Sequence, residues 1–142
     1  MLACILQEFI CRVAITGIIP IQNEITTIKI DGIWKVEIQG PYSKEPFSTA
    51  FLKNGRYISG SVDHYSTGSY EEHDGIFKAK VVITQHGGVR TIFGGRKKHV
   101  KLDIEGKIGK KGKKLTISGT ARPPKGKGFK IGVYLIRLGP LD

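Results

Sequence analysis

From Asp31 onward the apolar and polar positions alternate with a period of two rather than 3.6, which predicts strands. "IWKVEI" sets Ile33, Lys35 and Glu37 opposite Trp34, Val36 and Ile38. "PFSTAFLKNGRYISGSV" is the clearest element. Its Asn54-Gly55 pair is a strong hairpin signal, because both central positions of a type I′ turn need positive φ. Such a turn pairs Lys53 with Arg56, Phe51 with Ile58, Thr49 with Gly60 and Phe47 with Val62. The large apolar side chains then share one face, which is expected to point inward.

The stretch "GSYEEHDGIF" obeys the same logic. A turn of two or four residues around Asp74-Gly75 puts Gly68 and Tyr70 on the face of Phe77, Ala79, Val81 and Ile83. Lys78 and Lys80 face outward with Glu71, and the acids sit at the hairpin tip. Further along, Val100, Leu102, Ile104 and Ile108 share one parity, and "GKKG" turns the chain. Leu115 and Ile117 are expected to return opposite Gly106 and Ile104. "ARPPKGKG" is a loop, since consecutive prolines do not fit a central strand. "FKIGVYLIRL" is apolar on both faces, so Tyr134, Ile136 and Leu138 form a candidate dimer face or a seat for another segment.

The pattern predicts strands over 32–39, 46–53, 56–63, 65–72, 76–85, 98–108, 113–121 and 128–138, with a short strand allowed within "HGGVRTIFGG". An antiparallel meander of this kind closes into a small eight-stranded β-barrel, which removes sticky sheet edges. Its interior is just filled by side chains or holds one small ligand. Trp34, Phe51, Tyr70 and Phe77 would suit an apolar guest, and the small residues Thr49, Gly60 and Gly68 are expected on the inner face, where they could leave room for it. The single barrel domain spans 30–142. Ahead of it, Leu2, Ile5, Leu6, Phe9, Ile10 and Val13 follow helical spacing, so residues 1–29 read as an extension with an amphipathic helix over roughly 2–14.

Charge changes the picture in one place. Residues 96–130 hold thirteen Lys and Arg against only Asp103 and Glu105, which accounts for the entire net charge of +11. The cluster Arg96, Lys97, Lys98, Lys110, Lys111, Lys113 and Lys114 is a candidate polyanion or nucleic-acid surface. Lysine dominates and stacking aromatics are nearly absent, so such binding would follow the phosphate backbone without sequence specificity. Cys4 and Cys11 make no disulfide framework; on one helix they would lie about 10 Å apart along the axis. The broken apolar N-terminus matches neither a signal peptide nor a membrane span, which points to a cytoplasmic protein.

Motifs for chemistry are missing. No GxSxG, HExxH or phosphate-loop spacing is present. His64, His86 and His99 are dispersed, although His64 beside Asp63 can make a pair. Glu71, Glu72, His73 and Asp74 lack metal-ligand spacing, and consecutive residues on a tight turn point in different directions. The expectation is a binding protein without catalytic residues, metal or cofactor. The tip then reads either as a docking surface that steers a basic partner or as an ordinary polar turn.

The run "DGIWKVEI", then "KNGRYISGSVDHYSTGSYEEHDGIFKAKVVIT", "LDIEGKI", "LTISGTARP" and "IGVYLIRL" resembles the GrlR-like family of negative regulators of type III secretion. The resemblance covers Asp31 to Leu138, and Gly60 and Asp63 stand where the family carries "GGD", here written "GSVD". It implies a small barrel with a lipocalin-like outline, often dimeric, which sequesters a transcriptional activator in bacteria. It also implies partner recognition by an acidic tip that maps onto Glu71, Glu72, His73 and Asp74, with three acids matching and His73 departing. Residues 1–29 have no counterpart there, which admits a mis-called start.

Overall fold

The computed structural model describes residues 29–87, 98–124 and 130–141. The chain forms β1 (Gly32–Gln39), β2 (Lys44–Lys53), β3 (Arg56–Gly60), β4 (His64–His73), β5 (Ile76–Gln85), β6 (His99–Lys111), β7 (Lys114–Arg122) and β8 (Ile131–Gly139). Each strand pairs antiparallel with its neighbours in sequence, and β8 returns to β1, so the barrel is closed. The expected N-terminal helix, both cysteines and most of "HGGVRTIFGG" lie outside the described residues. Among the described residues no helix is long and apolar enough to cross a membrane. On β5 and β6 the side chains alternate apolar inside and polar outside.

Trp34 organises the core. Its indole is fully buried, and Nε1 donates to the Ile30 carbonyl at 2.9 Å. Ile30 is itself buried, so the chain packs into the core as it approaches β1. Arg137 Nε donates to the Asp31 carbonyl at 3.0 Å, and the Tyr70 hydroxyl donates to Asp31 Oδ1 at 3.0 Å. Inward positions then follow around the barrel: Ala50 and Leu52, Tyr57 and Ser59, His64 and Ser66, Phe77, Ala79, Val81 and Ile83, Leu102 and Ile104, Ile117 and Ala121, Val133 and Leu135.

The Asn54-Gly55 hairpin has the expected register, with Thr49 opposite Gly60, Phe51 opposite Ile58 and Lys53 opposite Arg56. Its faces are reversed from expectation. Phe51 and Ile58 are 39% and 43% exposed, and Thr49 and Gly60 point outward with them. The cause lies in the neighbouring strand. Trp34 sits directly opposite Ala50, and residues directly opposite share a face. An inward Trp34 therefore turns Ala50 and Leu52 inward and Phe51 outward. Strand β3 also ends at Gly60, which leaves Val62 outside the ladder and 94% exposed rather than paired with Phe47. Phe47 is the extra residue of a bulge opposite Val36–Glu37 and packs on the core with its ring 4.3 Å from that of His64.

One other register and one strand boundary differ from expectation. Leu115 and Ile117 lie opposite Lys110 and Ile108, because β6 runs on to Lys111 and the turn falls at Gly112-Lys113 rather than within "GKKG". Parity survives this shift, since it moves the pairing by four residues, an even number, on β6. Strand β8 begins at Ile131, later than expected.

Candidate docking surface at the hairpin end

The β4–β5 turn has two residues, Asp74 and Gly75, with φ of 54° and 81°. These are type I′ values, which suit Asp-Gly and match the twist of the strands. Glu72 Oε2 accepts the Gly75 amide at 2.9 Å and so holds the turn from within. Glu71 Oε1 lies 2.9 Å from His73 Nε2, and both side chains are largely exposed, at 64% and 77%. Asp74 is exposed at the apex. The four tip residues thus divide: Glu72 supports the turn, while Glu71, His73 and Asp74 face solvent. Among the described residues no three His, Cys, Asp or Glu side chains are grouped to hold a metal ion.

Strand stagger sets what surrounds this tip. The Tyr70 amide donates to the Gly55 carbonyl at 2.8 Å, and the Ile108 amide donates to the Gly75 carbonyl at 2.8 Å. Each hairpin turn therefore braces the side of the next, longer hairpin. The β6–β7 hairpin extends beyond the β4–β5 turn and carries Lys110, Lys111, Lys113 and Lys114, all exposed. Acids and lysines far apart in the chain meet at one end of the barrel. On the outer face below, charges alternate across strands. Glu71 faces Lys78, and Lys78 faces Glu105; Lys80 faces Asp103, and Asp103 faces Arg122. Lys80 Nζ is 3.8 Å from Asp103 Oδ1. These rows line an open groove of about 960 Å³ across β4 to β7. Lys98 is exposed at the far end of β6, whereas Arg96 and Lys97 lie outside the described residues.

No family model matches the chain, and no curated protein matches it. The site therefore rests on its own geometry.

The lumen is close to filled. Its apolar cavity measures about 20 Å³ and is lined by side chains that include Tyr57, Ser66, Val81 and Leu135. That is room for roughly one water, against the several hundred Å³ typical of ligand pockets. The expected contribution of Thr49 and Gly60 to a cavity is absent, because both point outward. Buried polar groups nevertheless line the interior. Ser48 Oγ and His64 Nε2 are buried without a hydrogen bond. The His64–Asp63 pair that the sequence allows does form, with Nδ1 2.8 Å from Asp63 Oδ1. Ser61 Oγ lies 3.1 Å from the same carboxylate oxygen and 3.0 Å from Nδ1. Hydrogen bonds from His64 and then Ser61 hold the Asp63 carboxyl below its ordinary value. An ionised Asp63 only accepts, so a neutral His64 carries its proton on Nδ1 and presents the Nε2 lone pair to the interior. Ser61 and the Tyr70–Asp31 bond were not foreseen. The dense polar run "SVDH" was the available signal for the former; the latter spans 39 residues and has no local signature.

On β8, Tyr134, Ile136 and Leu138 face outward as expected, and Leu138 is the most exposed. Lys44 Nζ lies 4.0 Å from the centre of the Tyr134 ring, a cation–π contact that covers part of this face within the same chain.

Burial also predicts an alkaline limit to stability. Burial pushes the Tyr57 hydroxyl up to about 12 from 10.0, against a smaller lowering by Ser59. Burial, with the Asp31 hydrogen bond second, raises Tyr70 to about 12 as well. A raised folded-state pKa gives stability that is complete below pH 10 and lost as pH climbs toward 12. For Tyr57 this loss is on the order of 2–3 kcal/mol. The urea midpoint of the protein is expected to fall between those limits, and Tyr57→Phe to flatten that fall; parallel curves for both proteins would refute the assignment.

Proposed function

We propose that this barrel is a non-enzymatic binding module of the GrlR-like kind, a bacterial cytoplasmic regulator that captures a protein partner through its β4–β5 tip. The observation that carries this reading is the division of labour at the tip. Glu72 holds the type I′ turn, so Glu71, His73 and Asp74 are presented on a backbone that is already ordered. Preorganisation lowers the entropic cost of docking, and exposed acids steer a basic groove toward them. The partner is then a protein with a basic recognition surface, of which a transcriptional regulator is the fitting class. The small lumen supports the same reading, since recognition falls to the outside of a filled barrel.

The Glu71→Lys/Asp74→Lys variant tests it. Tagged wild-type and variant proteins would be purified from the source bacterium and their co-purifying proteins compared. The expected result is loss of one partner from the variant, with about 10–100-fold weaker binding of that partner when isolated. Circular dichroism should remain that of the wild-type barrel. Identical partner sets and affinities would remove the tip from the function.

A further inference from the structure

The last paired positions of β6 with β5 and of β7 with β8 are Lys107 opposite Ile76 and Thr116 opposite Ile136. Beyond them, Lys110 pairs with Leu115 and Lys111 with Lys114. The hairpin therefore leaves the barrel as a two-stranded ribbon with no flanking strand. Such ribbons are only marginally stable in water. This one adds a like-charge pair directly across the ladder at Lys111–Lys114, with Lys110 beside it and Lys113 in the turn. Directly opposed like charges are destabilising. No acid lies between Gly106 and Ser118, and among the described residues none of these lysines makes an ion pair. Lys78 and Lys80 on the outer face stand opposite Glu105 and Asp103, and although Lys53 also stands opposite Arg56 at the β2–β3 hairpin end, this ribbon gathers four lysines at one hairpin end with no acid between them. A local arrangement that sacrifices stability without internal compensation marks a functional position.

We infer that the β6–β7 ribbon is a nucleic-acid-binding arm that inserts into the major groove of duplex DNA and contacts phosphates through Lys107, Lys110, Lys111, Lys113 and Lys114. Its charge is complementary to a polyanion, and it lies on both faces of the ribbon: Lys111 and Lys114 share one face, and Lys110 takes the other. Two strands spaced about 5 Å apart fit a groove about 12 Å wide, whereas the major groove of A-form RNA is too narrow. The ribbon carries no Arg, Asn or Gln, so base-edge readout has no donors of the usual kind and binding is general to sequence. It also has no aromatic residue, and Leu115, its one large apolar side chain, packs toward the core. That leaves nothing to enter a lipid headgroup layer.

Fluorescence anisotropy with a labelled random-sequence DNA duplex tests the arm. Five phosphate contacts give a slope of log affinity against log salt near about −4.5, or about 500-fold weaker binding at 200 mM than at 50 mM salt. In Lys110→Gln/Lys111→Gln/Lys113→Gln/Lys114→Gln the slope should shrink to about −0.9. A single Lys111→Glu change separates function from folding. It converts the repulsive pair into an attractive one and is expected to raise the melting temperature by about 2–4 °C while weakening DNA binding. Unchanged DNA binding in both variants would overturn the arm. Equal affinity for duplex RNA, or for vesicles containing phosphatidylserine, would overturn the groove assignment. The Glu71→Lys/Asp74→Lys variant should retain DNA binding, strengthened by the added lysines beside the ribbon, so failure of the tip and failure of the arm are distinguishable.

Discussion

Replacing Gly119 with alanine is expected to leave no stable barrel. A Cβ there would stand 1.9 Å from the Glu105 carbonyl oxygen and 2.4 Å from Gly106 Cα. Both obstacles are backbone, so no side-chain rotation relieves them. Gly106 and Gly119 face each other across β6 and β7 at inward parity, and a Cβ added to Gly68 would likewise run into the Lys80 carbonyl oxygen on β5. The absence of side chains at these positions lets neighbouring strands press together as the sheet coils into a closed barrel. Overpacking usually costs about 1–3 kcal/mol, and a clash with rigid backbone on two sides exceeds that, out of a typical total of about 5–15 kcal/mol. Gly60→Ala is the matched control, because its Cβ would meet nothing within 4 Å. Urea unfolding followed by circular dichroism should show Gly60→Ala near wild type and Gly119→Ala largely unfolded. A two-state Gly119→Ala melt within about 1 kcal/mol of wild type would refute the close-approach argument.

Trp34→Ala is expected to cost about 3–5 kcal/mol, the range for emptying a large aromatic site. Trp34 is fully buried, faces Ala50 across the ladder and fastens Ile30 by its indole N–H. The variant loses apolar contact, opens a cavity beside the lumen and frees the Ile30 carbonyl together. Trp34→Phe separates these contributions. It retains most of the ring volume but not the donor, and should lose about 1–3 kcal/mol through the unsatisfied buried carbonyl and the smaller ring. Because Trp34 is the chain's single tryptophan, unfolding must be read from the backbone signal and not from indole fluorescence. An alanine variant within about 1 kcal/mol of wild type would show that the lumen collapses around the site without penalty.

The acidic tip was legible as far as its local chemistry went. Asp74-Gly75 encodes a two-residue turn, and strand parity then exposes Glu71 and turns Tyr70 inward. What the local pattern could not supply was the role of Glu72, whose carboxylate folds back onto the Gly75 amide. Strand parity says which side of a sheet a residue takes, but a long side chain at a strand end is free to choose its partner. Nor could the sequence place the tip beside the lysine-rich ribbon. That neighbourhood depends on stagger between β5 and β6, which are joined by a long connection that sets no register.

By itself the sequence determined the number of strands, their antiparallel order and the register of the Asn54-Gly55 hairpin. Alternation and turn chemistry are local, and each acts within a few residues. Closure follows from them, because eight paired strands with uncovered edges gain by pairing the first with the last. The tertiary structure alone decided which face of β2 and β3 points inward. A hairpin's register is the same whichever side faces the core, and Phe51–Ile58 looked like the better candidate for burial. The choice was made by Trp34 on the adjacent strand, whose indole needs a buried space with the small Ala50 opposite. A four-residue link separates those strands at Gly40–Ser43, and it does not specify how they align. Burial of the largest side chain therefore decided the packing, and no local signal in β2 or β3 carried that information.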